Sequence, residues 1–159
     1  MDTTTTLAPR SLAQAEGKTV QVLSDQVTFK ALAEDTGGVY SLFETVTIPG
    51  GGTPPHSQRY EEESFYVLEG HYTFRVGDRT VELGPGGYAF VPRETVHAFM
   101  NTGEAPARML ILVTPGGIHE QFFAEMGRLA ISGGDAPSVE QIVALATRYG
   151  IEILPPAAS

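Results

Sequence analysis

Alternation of apolar and polar residues dominates the chain from Thr19 to Val113, in short runs rich in Val, Ile, Phe, Tyr and Thr separated by turns bearing glycine or proline. Such runs predict strands, because successive side chains of an extended segment point to opposite faces. Strand character is expected over 19–33 and 39–48, the second placing Tyr40, Leu42, Val46 and Ile48 on one face with Glu44 interrupting it. Further strands are expected over 64–69, 71–76, 79–83, 88–91, 96–100 and 107–113. Many short strands at regular spacing predict an all-β sandwich or barrel. Beyond Thr114 the period changes. Ile118, Phe122, Phe123, Met126 and Leu129 recur at helical spacings, and Ser138 is placed to N-cap a second helix over 139–149 that Gly150 stops. These helices are expected to cover the outside of the barrel. Residues 1–17 show no clear periodicity and read as a flexible arm, which would cross to a partner subunit. The expected organisation is an arm (1–17), a barrel domain (18–116) and a C-terminal helical extension packed on it (117–159).

Composition narrows the function classes. The chain has 159 residues, 42% of them hydrophobic, enough for one packed core. A formal net charge of −9 and the lack of any basic run argue against nucleic-acid binding, which needs clustered Lys and Arg. Absence of cysteine excludes disulfides, thiolate metal ligands and cysteine nucleophiles. The N-terminal residues lack the basic and apolar blocks of a secretory signal, and no apolar run reaches membrane-spanning length, so a cytoplasmic protein with no membrane partner is expected.

Candidate chemistry lies in two stretches, Gly50 to Gly70 and Gly86 to Asn101. His56 and Gln58 stand two residues apart and should share a strand face. Glu63 follows at an odd spacing, so a turn or bulge around 59–61 is required to bring it to the same side. From there Glu63, Phe65 and Val67 alternate with Tyr66 and Leu68, up to a hairpin at Gly70. In the second stretch His97 and Phe99 share a face. Two histidines, a carboxylate and an amide could thus converge, with Phe65 and Phe99 lining a substrate pocket or serving as plain core. Of the neighbouring candidates, Glu61 is the fallback ligand if the bulge falls elsewhere, Glu61 and Glu62 otherwise being solvated. His71 should face solvent, and His119 should be a surface or capping residue at the start of the first helix. The Gly50-Gly51-Gly52 run precedes neither a helix nor a lysine, which rejects phosphate binding.

The spacing Gly50, His56, Gln58, Glu63, Gly70 resembles the first motif of the cupin superfamily, and Gly86, Pro92, His97, Asn101 is similar to the second. Two positions depart from the family pattern, Gln58 standing where a second histidine is usual and Glu94 where a glycine is. The C-terminal segments resemble the tail of small cupins grouped with quercetin 2,3-dioxygenase-like proteins. This resemblance implies a jelly-roll β-barrel and one divalent transition metal, iron first and manganese, nickel, cobalt, copper or zinc as alternatives. The metal ligands it implies are His56, Gln58, Glu63 and His97, and a homodimer is expected.

Three readings of Gln58 follow. It could be a weak carboxamide ligand that lowers affinity, a residue that hydrogen-bonds the substrate beside a triad of His56, Glu63 and His97, or the mark of a site that has lost its metal. Three functions follow likewise. The first is a dioxygenase acting on a small hydroxylated aromatic of flavonol type, with Glu63 and His97 catalytic and Glu63 serving as general base if its pKa is raised. The others are a metal-dependent or metal-free isomerase or lyase with Glu63 or His97 moving protons, and a non-catalytic small-molecule binder.

Overall fold

The computed structural model describes residues 6–132 and 134–155, with no side-chain description for 130–132. Its strands are β1 (Lys18–Val22), β2 (Asp25–Ala31), β3 (Ser41–Thr47), β4 (His56–Gln58), β5 (Glu62–Glu69), β6 (Tyr72–Val76), β7 (Arg79–Leu83), β8 (Tyr88–Val91), β9 (His97–Asn101), β10 (Ala107–Thr114) and β11 (Ile151–Ile153). Three helices accompany them: α1 (Ala33–Thr36), α2 (Ile118–Ser132) and α3 (Val139–Arg148). Two antiparallel sheets face each other, ordered β1-β2-β3-β10-β5-β8 and β11-β4-β9-β6-β7. This is the all-β jelly-roll arrangement with C-terminal helices.

Alternation produces the core. Along β10, Ala107, Met109, Ile111 and Val113 are buried while the residues between them are half-buried, and β5 buries Glu63, Phe65 and Val67 in the same way. From the opposite sheet Tyr72, Phe74 and Phe99 meet them, with Phe65 and Phe74 rings 5.3 Å apart and Tyr72 and Phe99 rings 5.8 Å apart at a near-perpendicular angle. Edge-to-face pairs of this kind add about 0.5–1.5 kcal/mol each beyond burial. At Gly52 the backbone runs so close to β9 that a Cβ would lie 1.9 Å from the Phe99 carbonyl oxygen, which explains that glycine without a phosphate.

Several expectations change. The stretch 19–33 is a hairpin, β1 and β2, followed by the short α1. Its turn is Leu23-Ser24, and Leu23 adopts φ 53° without the Gly or Asn that marks such turns in a sequence. In β3 the buried face is Ser41, Phe43, Thr45 and Thr47; the apolar set Leu42 and Val46 lies on the other, half-buried side, where Glu44 pairs with Arg108 at 3.1 Å. Pairing with β2 and β10 on both flanks fixes that register. The helices also do more than cover the outside, since Phe122, Phe123, Met126 and Ile142 line the same cavity as Phe43 and Phe65. Close after α3 the chain forms β11, which pairs with β4. Residues 1–5 of the expected arm lie outside the described residues; residues 13–16 are held by the Lys30 ammonium, which donates to the Ala13, Gln14 and Glu16 carbonyls.

Candidate metal centre

The chain between β4 and β5 bends at 59–60, which supplies the break that the odd spacing of Gln58 and Glu63 requires. His56 is the register partner of His97 across β4 and β9, and their rings lie 4.2 Å apart. Glu63 comes from the facing sheet, where it pairs with Val91. One nitrogen from each histidine and one Glu63 oxygen lie within 4.8 Å of one another.

Hydrogen bonds prepare both imidazoles. His56 Nδ1 is 2.8 Å from the Pro54 carbonyl and His97 Nδ1 is 2.9 Å from the Thr95 carbonyl. A carbonyl only accepts, so both Nδ1 atoms carry protons and the lone pair of each neutral ring sits on Nε2, the atom available to a metal. Burial lowers the His56 pKa to about 4, reinforced by the neighbouring His97, so this ring is neutral near pH 7. Burial also opposes charge on His97, but its Nε2 lies 3.1 Å from Glu63 Oε2 and that carboxylate carries the net shift upward. A proton and a cation would therefore compete for His97 Nε2, and metal uptake there would displace the proton.

Glu63 is the hub. Its Oε2 faces His97, while its Oε1 accepts from Gln58 Nε2 at 2.8 Å and from His119 Nε2 at 3.0 Å. Burial raises its pKa, yet the bonds from His119 and His97 outweigh burial and hold it well below the ordinary carboxylate range. The raised pKa that a general-base role would need is thus not what the surroundings impose. Gln58 presents N–H rather than its carbonyl to this carboxylate, so in this arrangement the amide orients Glu63 and the donors facing a cation are His56, Glu63 and His97.

Two residues were misplaced by sequence reasoning. His119, expected at the surface, is 5% exposed, and Glu61, expected in solvent, is 2% exposed. His119 Nδ1 lies 2.8 Å from Glu61 Oε2, so one imidazole bridges two carboxylates with its two nitrogens. Burial works against its charge, but the Glu61 and Glu63 carboxylates push its pKa up to about 10, so it is an imidazolium at neutral pH. Its 3.4 Å approach to Gln58 Nε2 is then a contact between two donors and no hydrogen bond. Both positions carried a signal: Glu61 is two residues from Glu63, and His119 is three and four residues before Phe122 and Phe123, on the apolar face of α2. His71 is exposed, as expected.

The donor set fits a first-row divalent cation: two imidazoles and a carboxylate, with room left for other ligands. Beside it lies a cavity of about 110 Å³, into which Phe65 and Phe99 both project. At Glu94 the chain adopts φ 62°, the left-handed conformation that favours glycine, and its amide donates to the Gln58 carbonyl at 2.8 Å.

Residues 43–113 match the family model of the cupin domain. Those residues form a cupin domain. It is 27% identical over 119 residues to quercetin 2,3-dioxygenase of Bacillus subtilis (strain 168), an alignment covering 75% of this chain and 35% of that enzyme. The cupin therefore spans about a third of the length of that relative. Among solved structures it resembles the polyketide cyclase RemF from Streptomyces resistomycificus, at 27% identity and a TM-score of 0.58 over 67% of this chain and 80% of RemF. KdgF from a Halomonas species superposes with a TM-score of 0.62 over 69% of this chain and 96% of KdgF, but at 17% identity that likeness concerns the fold alone.

Proposed function

We propose that this cupin is a metal-dependent enzyme acting on a small hydroxylated aromatic, with dioxygenation as its reaction. The observation that carries the reading is the convergence of one nitrogen from each of His56 and His97 with a Glu63 oxygen within 4.8 Å, while Nδ1–carbonyl bonds occupy the other nitrogen of both rings. Support comes from the likeness to quercetin 2,3-dioxygenase across three quarters of the chain. A bound divalent metal, iron first, would supply Lewis acidity toward a substrate oxygen and, if redox-active, electron transfer to dioxygen.

The protein's own part is positioning and proton control. Phe65 and Phe99 give flat apolar walls to an aromatic ring, and a cavity of about 110 Å³ is on the order of what one benzene ring requires, so one ring of the substrate enters it. Glu63, kept ionised by His119, His97 and Gln58, stays an acceptor for the cation. His97 Nε2, freed of its proton, completes the donor set with His56.

A second reading, proton-transfer chemistry of the isomerase or lyase type, draws on the Glu61–His119–Glu63 bridge and on the likeness to a polyketide cyclase. Oxygen uptake with a panel of phenols and flavonols, by protein reconstituted with iron or manganese, tests the first reading. Uptake that requires the metal supports it; solvent-deuterium exchange into the substrate under anaerobic conditions with no uptake would transfer the proposal to the second.

A further inference from the structure

The cavity wall opposite the metal centre contains a break in its apolar lining. On the inner face of β2 and β3 the buried residues Val27, Phe29 and Phe43 give way to Asp25, Thr45 and Thr47. Asp25 pairs with Thr47 and Val27 with Thr45, so Asp25 and Thr45 are diagonal neighbours across the two strands. That relation puts their Cβ atoms about 7–8 Å apart or somewhat less, with both side chains on one face. Both line the cavity that also touches His56, Gln58 and Glu63.

The two residues are only 7% and 2% exposed, and among the described residues Asp25 Oδ1 and Thr45 Oγ1 have no hydrogen-bond partner. The rest of the cluster is ordered. Tyr72 donates its hydroxyl to Thr47 Oγ1 at 3.2 Å, and the Thr47 side chain lies close enough to the Asp25 carboxyl to favour its charged form against burial. Thr45 Oγ1 lies near the Tyr72 hydroxyl without a hydrogen bond of ordinary geometry. Buried polar atoms are rarely left unpaired, because each costs the full desolvation of its group. Both belong to residues that line one cavity, so a single occupant reaching between them would pair both.

We propose that Asp25 and Thr45 form a second polar subsite that binds a hydroxyl group of the ligand, with the hydroxyl donating to Asp25 Oδ1 and accepting from Thr45 Oγ1. The ligand class is a phenol or similar molecule that is otherwise apolar and carries the hydroxyl remote from its metal-facing end. By register, Thr45 lies two side-chain rows and Asp25 three rows from the row of Glu63, which places the subsite at the far end of the cavity. Burial raises the Asp25 pKa to about 6, so at neutral pH the group is mainly a charged acceptor, the stronger partner for a phenolic O–H. The inference deepens the proposed function by specifying what the substrate carries, yet it needs no metal for its test.

The test compares 4-ethylphenol with ethylbenzene, binding to chelator-treated full-length protein by ligand-observed NMR titration, in wild type, Thr45→Val and Asp25→Ala. Wild type should prefer the phenol by about tenfold, and each variant should reduce that preference to about twofold or less while still binding ethylbenzene. Thr45→Val is nearly isosteric and removes an unpartnered hydroxyl, so it remains informative if Asp25→Ala does not fold. Equal affinity for the two probes in wild type, a preference unchanged in the variants, or no binding of either probe would overturn the subsite. Because the metal is absent throughout, a protein that takes up no metal but keeps the preference would sink the metal-enzyme reading and leave the subsite standing.

Discussion

His119 Nε2 lies 3.0 Å from Glu63 Oε1, which ties the first turn of α2 to the strand that carries the candidate metal ligand. The contact makes the C-terminal helix part of the site. Without the His119 charge, Glu61 and Glu63 would be two buried carboxylates sharing one pocket. With it, Glu63 is held ionised and aimed.

His119→Ala should therefore destabilise the metal-free protein strongly. Removing one member of a buried ionic cluster costs about 3–5 kcal/mol, because the remaining charges stay buried without compensation. Urea unfolding near pH 7 reads this directly. A loss under about 1 kcal/mol would mean that the bridge carries little of the fold's stability.

Asp25 supplies a pH dependence with a defined sign. Its folded pKa is raised from 3.8 to about 6, so its contribution to stability is fully present below pH 3.8 and is lost as pH rises through about 6. Asp25→Asn cannot ionise and escapes that loss. The stability of the variant relative to wild type should climb between pH 4 and pH 8 by about 1–3 kcal/mol. Thermal melts of metal-free protein across that range measure it, and a difference that does not vary with pH would show that Asp25 titrates normally.

Gln58→His replaces an amide that orients Glu63 with an imidazole that can itself ligate. Metal affinity should rise on the order of tenfold, equivalent to about 1.4 kcal/mol. Competition against a chelator of known strength, with manganese as probe, gives the value; unchanged affinity would indicate that position 58 lies outside reach of the cation.

Much of this was legible in the sequence, for identifiable reasons. Strands 79–83 and 88–91 coincide with β7 and β8 because turns bound both, and the convergence of His56, Glu63 and His97 followed from a period of two plus one break at 59–61. What could not be read was the choice of face where polar and apolar residues mix. In β3 the buried set is Ser41, Phe43, Thr45 and Thr47, selected by flanking strands that are remote in sequence. His119 escaped because a histidine at a helix start reads as a cap until its partners, Glu61 and Glu63, are known to lie beneath it. The Leu23-Ser24 turn escaped because it lacks the Gly, Asn or Asp that marks a two-residue hairpin, Leu23 taking the positive φ instead.

The central claim is that His56, Glu63 and His97 hold one divalent transition metal. The most direct measurement is elemental analysis of protein purified without chelator or metal-affinity resin and then reconstituted, beside His97→Ala treated identically. The account predicts close to one transition metal per wild-type chain and almost none in the variant, together with a metal-dependent rise in melting temperature confined to wild type. A wild-type protein that stays metal-free after reconstitution, or a variant that binds as much metal as wild type, would contradict it.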